Sequence, residues 1–211
     1  MYGLSKEELR TLKTLKTPKR IQDFLDALSI NFEEDGDSCW SPRKVLREGR
    51  AHCIEGAMLA ALALRIHGAR PLLLDLASAH GDQDHVVALF QEAGRWGAIS
   101  KTNHAVLRYR EPVYATVREL ALSYFHEYFL NDGKKTLRSF SVPLDLTRFD
   151  KKEWMTSEED LWDIVHALDD APHTQILCEG QARQLRRADK IEIEAGEIVE
   201  WKRPKRKKDI R

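Results

Sequence analysis

Two side chains that can make and break acyl bonds stand at the heads of apolar runs in this chain, Cys53 and His85. The first run reads Gly49-Arg50-Ala51-His52-Cys53-Ile54-Glu55-Gly56-Ala57 and stays apolar almost to Gly68. A thiol at a helix start meets unpaired N–H groups and the positive end of the helix dipole, both of which favour thiolate. Thiolate is the nucleophilic form of cysteine. Such a nucleophile needs a base that takes its proton and returns one to the leaving group. Histidine suits this role because its unperturbed pKa lies near neutrality. Histidines stand at positions 52, 67, 80, 85, 104, 126, 166 and 173. His85 follows the polar turn Ala79–Asp84 and opens the apolar run Val86–Phe90, where its side chain can face a cleft. His52 adjoins Cys53, but on a helix it would point about 100° away, so His85 is the expected partner.

The elements that must hold this pair follow from apolar spacing and stop signals. Residues 5–15 and 18–30 read as helices, the second with Thr17-Pro18 at its start. Ser41 to Gly49 reads as a short helix capped by serine and ended by glycine. The Cys53 helix is apolar nearly all round, the pattern of an enclosed helix. Beyond Gly68, Arg70–Leu76 and His85–Phe90 read as buried strands, with Glu92–Arg95 as a hairpin turn into Trp96–Ser100. Residues 112–130 read as an amphipathic helix that includes Val113 and Val117. Lys135–Leu146 returns to the sheet, Ser157–Asp160 starts another helix, and Thr174–Leu177 is a short strand. Ile191, Ile193 and Ile198 suggest a small hairpin. Helices before and within a run of antiparallel strands give an α+β fold.

At 211 residues, 42% apolar and 32% charged, the composition is that of a soluble globular protein with one main core. No apolar run is long enough to span a bilayer, and the N-terminal residues lack an apolar signal core, so no membrane partner is expected. Cys39, Cys53 and Cys178 show no paired or metal-like spacing. Free thiols fit a reducing compartment, and the expected location is cytoplasmic. Neither a phosphate loop nor a dinucleotide fingerprint is present. Residues 202–211 carry seven basic side chains and one acidic, so the rest of this formally neutral chain is net negative. The expected organisation is one domain over 1–201 and a disordered basic tail over 202–211. That tail suits an acidic or nucleic-acid partner.

The order of these elements resembles the transglutaminase-like superfamily, part of the broader papain-like set of cysteine enzymes. The matching text is Gly49–Cys53 with its helix to Gly68, then Asp84–Phe90, then Trp96–Ser100, within roughly residues 40–105. The resemblance implies a Cys-bearing helix packed on an antiparallel sheet. It also implies attack of Cys53 on a carboxamide or peptide carbonyl, with a peptide or protein amide as substrate and no cofactor. His85 would be base and then acid across a thioester; a water acceptor gives hydrolysis, an amine gives transfer. The backbone N–H of Cys53 and the indole N–H of Trp40 are the expected oxyanion donors. The family pattern places an aspartate a few residues after the tryptophan, to orient the histidine; this chain has Ser100 there. Three readings stay open: Ser100 or Asn103 orients His85; Asp82 or Asp84 folds back to do so; or the site has lost activity. In the last case the chain is a binding or scaffold protein that works through its basic tail.

Overall fold

Capping side chains set where the first helices begin. The computed structural model describes residues 2–34, 36–178 and 180–203. Helix α1 (Lys6–Thr14) starts at Ser5, whose hydroxyl accepts from the Glu8 N–H while Glu8 accepts from the Ser5 N–H. Helix α2 (Pro18–Ala27) starts at Thr17, with proline in its first turn. It stops three residues earlier than its apolar spacing suggests, because Ser29–Ile30 forms a short strand, β1. Helix α3 (Pro42–Glu48) is capped by Ser41 and ends at Gly49, whose φ of 66° is a conformation glycine adopts freely. Directly after it, β2 (Arg50–Ala51) pairs in parallel with β1. This pairing delivers the chain to helix α4 (Cys53–Ile66), in which every residue from Ile54 to Leu64 is buried.

Seven strands among the described residues form one antiparallel sheet: β3 (Leu72–Ser78), β4 (His85–Glu92), β5 (Arg95–Ile99), β6 (Arg110–Tyr114), β7 (Leu137–Ser141), β8 (Leu144–Asp145) and β9 (His173–Gln175). The order is β6-β5-β4-β3-β7-β9, with β8 beside β3. Alternation along the strands serves two cores. Leu73, Val86, Ala88 and Ile99 pack with α4, α1 and α2. Leu72, Leu74, Leu76, Val87 and Leu89 face the other way, toward α5 (Val117–Ser123). The fold is therefore mixed α+β, with helices on both faces of the sheet. No helix among the described residues is long and apolar enough to cross a membrane.

Three expectations are corrected. Residues 112–130 are not one helix: 110–114 form edge strand β6, and Thr116 caps α5 through the Glu119 N–H. Pro112, which lacks an N–H, is tolerated at a sheet edge, and Val113 is 64% exposed. Helix α6 (Trp162–Asp169) begins beyond the acidic Ser157–Asp160 segment, which forms a turn instead. The isoleucines at 191 and 193 lie on helix α7 (Lys190–Gly196), where Asp189 and Glu192 form a capping box. Of the expected basic tail, residues 204–211 lie outside the described residues.

Candidate active site

Cys53 is the first residue of α4 and is half-buried. His52, just before it, has extended backbone angles, φ −100° and ψ −171°. It therefore lies outside the helix, and the helical argument that turned it away from Cys53 does not apply. Its Nδ1 stands 4.0 Å from Cys53 Sγ. Its Nε2 meets the Ser38 carbonyl at 2.9 Å and lies 3.3 Å from Glu55 Oε1.

Glu55, on the first turn of α4, is a fully buried carboxylate with a crowded set of donors. The His52 and Trp40 backbone N–H groups donate to it at 3.0 Å each, the Ser38 hydroxyl at 2.9 Å, and the Asn31 amide at 3.2 Å. Burial alone would raise its pKa, but the imidazole of His52 and the backbone donors hold it below the ordinary carboxylate value. Sequence reasoning passed over this pair. The signal was there: a residue at the N-cap and a glutamate three positions on is the spacing at which a side chain reaches back.

His85 opens β4 opposite Leu76 and is 6% exposed. Its Nε2 lies 2.8 Å from Ser100 Oγ, just past the end of β5. The Ser100 hydroxyl gives its one hydrogen to the Leu107 carbonyl at 2.6 Å, which makes His85 Nε2 the donor. Gln22 on α2 brackets the Ser100 backbone, accepting from its N–H at 2.9 Å and donating to its carbonyl at 2.8 Å. Leu107 has a positive φ of 60°, and its N–H donates to Glu127 at 2.8 Å. A left-handed leucine is costly unless neighbours hold it, and here that conformation presents the Leu107 carbonyl to Ser100.

Other candidates for orienting His85 are engaged elsewhere. Asn103 pairs through both ends of its amide with the Trp201 backbone, at 2.8 and 2.9 Å. Asp82 accepts from Thr136 and Asp84 from the Ser78 N–H, so they hold the turn before β4. Trp40 is not brought to the cleft. Its ring is stacked between Lys44 and Arg50, with each cation 5.0 Å from the ring centre. Its link to the site is its backbone N–H on Glu55, and its ring lines neither of the two cavities at Cys53.

Two cavities meet at Cys53. One of about 410 Å³ is lined by His52, Cys53, His85, Lys101, Tyr128 and Arg203, among others. The second, about 320 Å³, shares His52 and Cys53 and extends toward Trp162, Val165 and Leu168. Arg203, near the start of the basic segment, donates to the Phe32 carbonyl at 3.4 Å and so forms part of the cleft wall.

The charges around the sulfur are unequal. Burial opposes ionisation of Cys53, but hydrogen bonding from His52 and His85 and their charges hold the thiol well below its ordinary value. Burial likewise opposes the charged form of His52, yet Cys53 and Glu55 push its pKa up. Cys39 moves oppositely: burial and the charges of Glu55 and Asp160 raise its thiol. The half-buried Cys53 thiol and the buried Cys39 thiol are thus shifted in opposite directions. No family model and no curated protein matches this chain.

Proposed function

We propose that the protein is a cysteine-dependent acyl-transfer enzyme of transglutaminase-like, papain-like kind that acts on a carboxamide or peptide carbonyl. The observation that supports this reading most directly is the Cys53 thiol, at a helix start, flanked by two imidazoles where two cavities meet. The Cys53 proton passes to an imidazole, and the thiolate adds to the substrate carbonyl while the C=O electron pair moves to oxygen. First-turn N–H groups of α4 are the nearest oxyanion donors. Collapse of the oxyanion breaks the C–N bond, and the departing amine takes a proton from His85, leaving a thioester. Water or an amine then adds to the thioester and gives its proton to His85. The C–S bond breaks, and the thiolate returns. This route requires no cofactor. Three free cysteines suit a reducing, cytoplasmic setting.

Incubation with p-nitrophenyl acetate, followed by intact-mass and peptide mass spectrometry, tests the reading. The expected result is a transient acetyl group on Cys53, absent in Cys53→Ser. Acylation confined to Cys178 or to lysines would overturn it and favour a binding protein that keeps the fold.

A further inference from the structure

The site contains one thiol and two imidazoles, and the two imidazoles are held by partners of different charge. His85 Nε2 donates to a neutral hydroxyl, Ser100. His52 Nε2 faces the buried carboxylate Glu55 at 3.3 Å, with Glu33 further off at 3.6 Å. We infer that His52 and Glu55 act as a fixed counter-ion pair that keeps Cys53 ionised, while His85 alone carries protons through the reaction. The inference rests on the acyl-transfer reading and divides its proton chemistry between two histidines.

The geometry supports this division. An imidazolium at His52 has both nitrogens engaged: Nδ1 on the sulfur side, and Nε2 on the Ser38 carbonyl and Glu55. Glu55 is itself fixed by backbone donors from Trp40 and His52 and by Ser38 and Asn31. Giving up the His52 proton would leave that buried carboxylate without its counter-charge, which is strongly unfavourable. His52 is therefore a poor donor to a leaving amine and a good permanent cation. Among the described residues His85 has no carboxylate of this kind on its ring, so proton release leaves no buried anion behind. In the resting site the Cys53 proton resides on His52. His85 starts the cycle with a proton on Nδ1 as well as on Nε2, gives the Nδ1 proton to the leaving nitrogen and recovers one from the incoming water or amine, so it ends each cycle as it began. A carboxylate absent from the position of Ser100 is thus supplied from α4, through the other histidine. Of the other titratable groups around the sulfur and the two cavities, Cys39, Tyr128 and the carboxylates Glu33, Asp37, Asp75, Asp82, Asp84, Glu127 and Asp169 oppose the thiolate when ionised. The basic groups are engaged with backbone carbonyls, Lys101 with those of Leu25 and Leu28, Arg203 with that of Phe32 and His104 with that of Gly196.

The test is the pH dependence of Cys53 alkylation by iodoacetamide, beside turnover of p-nitrophenyl acetate, in wild type, His52→Gln and His85→Gln. Expected in His52→Gln is a labelling midpoint raised by about one to three pH units. Expected in His85→Gln is labelling that still begins at low pH, with turnover lost. A His85→Gln midpoint that moves up while that of His52→Gln stays with wild type would overturn the division and assign the ion pair to His85. A wild-type midpoint at that of a free thiol, with no turnover, would instead overturn the acyl-transfer reading itself. Because His52→Gln disturbs a buried network, the unmutated protein gives a second measurement. The His52 imidazole, followed by ¹⁵N NMR, is expected to stay protonated through neutral pH and to keep its proton when Cys53 is alkylated, because Glu55 holds it; loss of that proton on alkylation would overturn the inference. A His52 ring that is neutral before alkylation would also overturn the inference.

Discussion

His85 and Ser100 form a directed pair: Nε2–H donates to Oγ at 2.8 Å, and the same hydroxyl donates onward to the Leu107 carbonyl at 2.6 Å. The direction is imposed from outside the pair, since a serine has one hydrogen and Leu107 takes it. Ser100 therefore fixes the tautomer of His85 without carrying charge.

Ser100→Ala leaves the buried Nε2–H without its acceptor, at a cost of about 1–3 kcal/mol. If that cost falls on the oriented imidazole, kcat/KM for an activated ester drops roughly tenfold to a hundredfold. Ser100→Asp is not expected to improve on serine. Its carboxylate has no hydrogen for the Leu107 carbonyl, and the two oxygens would repel at close range. Steady-state kinetics of both variants check this; a Ser100→Asp enzyme faster than wild type would contradict the pairing described.

Gly56 and Lys101 meet below the nucleophile. A Cβ on Gly56 would lie 2.5 Å from the Lys101 Cβ. Lys101 cannot slide away, because its ammonium donates to the Leu25 and Leu28 carbonyls at the end of α2. Gly56→Ala gains about 1 kcal/mol of helix propensity, but overpacking against a held side chain costs about 1–3 kcal/mol. The expected outcome is net destabilisation of up to about 2 kcal/mol, read as a lower urea midpoint. Slower alkylation of Cys53 should accompany it, since the first turn of α4 must shift. A higher midpoint would mean that the turn has room the contacts do not show.

How much of this was legible in the sequence differs from residue to residue. Cys53, His85 and Ser100 could be placed because each sits where an apolar run begins or ends, and run boundaries are written in composition. The boundary at Gly49 was equally plain, because a glycine after a helical pattern marks a stop. His52 was misjudged because its role depends on whether position 52 is inside the helix or caps it, a difference of backbone angles at one residue. The Ser38, Asn31 and Trp40 contacts to Glu55 join distant stretches of chain, and no local pattern reports them. Val113 fell on the apolar spacing of a helix but lies on an edge strand, since Pro112 and the Thr116 cap outweigh periodicity there. At the C-terminal end, Ile191 and Ile193 suit strand alternation, yet the Asp189–Glu192 capping box settles the segment as helix.

Asp75 gives the fold a pH dependence whose sign can be derived. It lies on β3 at 3% exposure, with His173 Nε2 3.1 Å from its Oδ2. Burial is the main influence and raises its pKa to about 6, with the charge of Asp84 adding to the rise and His173 opposing it. A carboxyl raised in the folded state binds more protons there than in the unfolded chain between about pH 4 and 6. Stability from this group is therefore greatest below that window and is lost as pH rises through it. The loss reaches about 3 kcal/mol at pH 7 from a shift of roughly two units. Asp75→Asn keeps the shape and removes the charge, so it should melt higher than wild type at pH 7 and lose that advantage near pH 4. Thermal melts across this range for both proteins check the point. Parallel pH profiles would show that His173 already neutralises Asp75, and that the pair, not a strained carboxylate, occupies this part of the sheet.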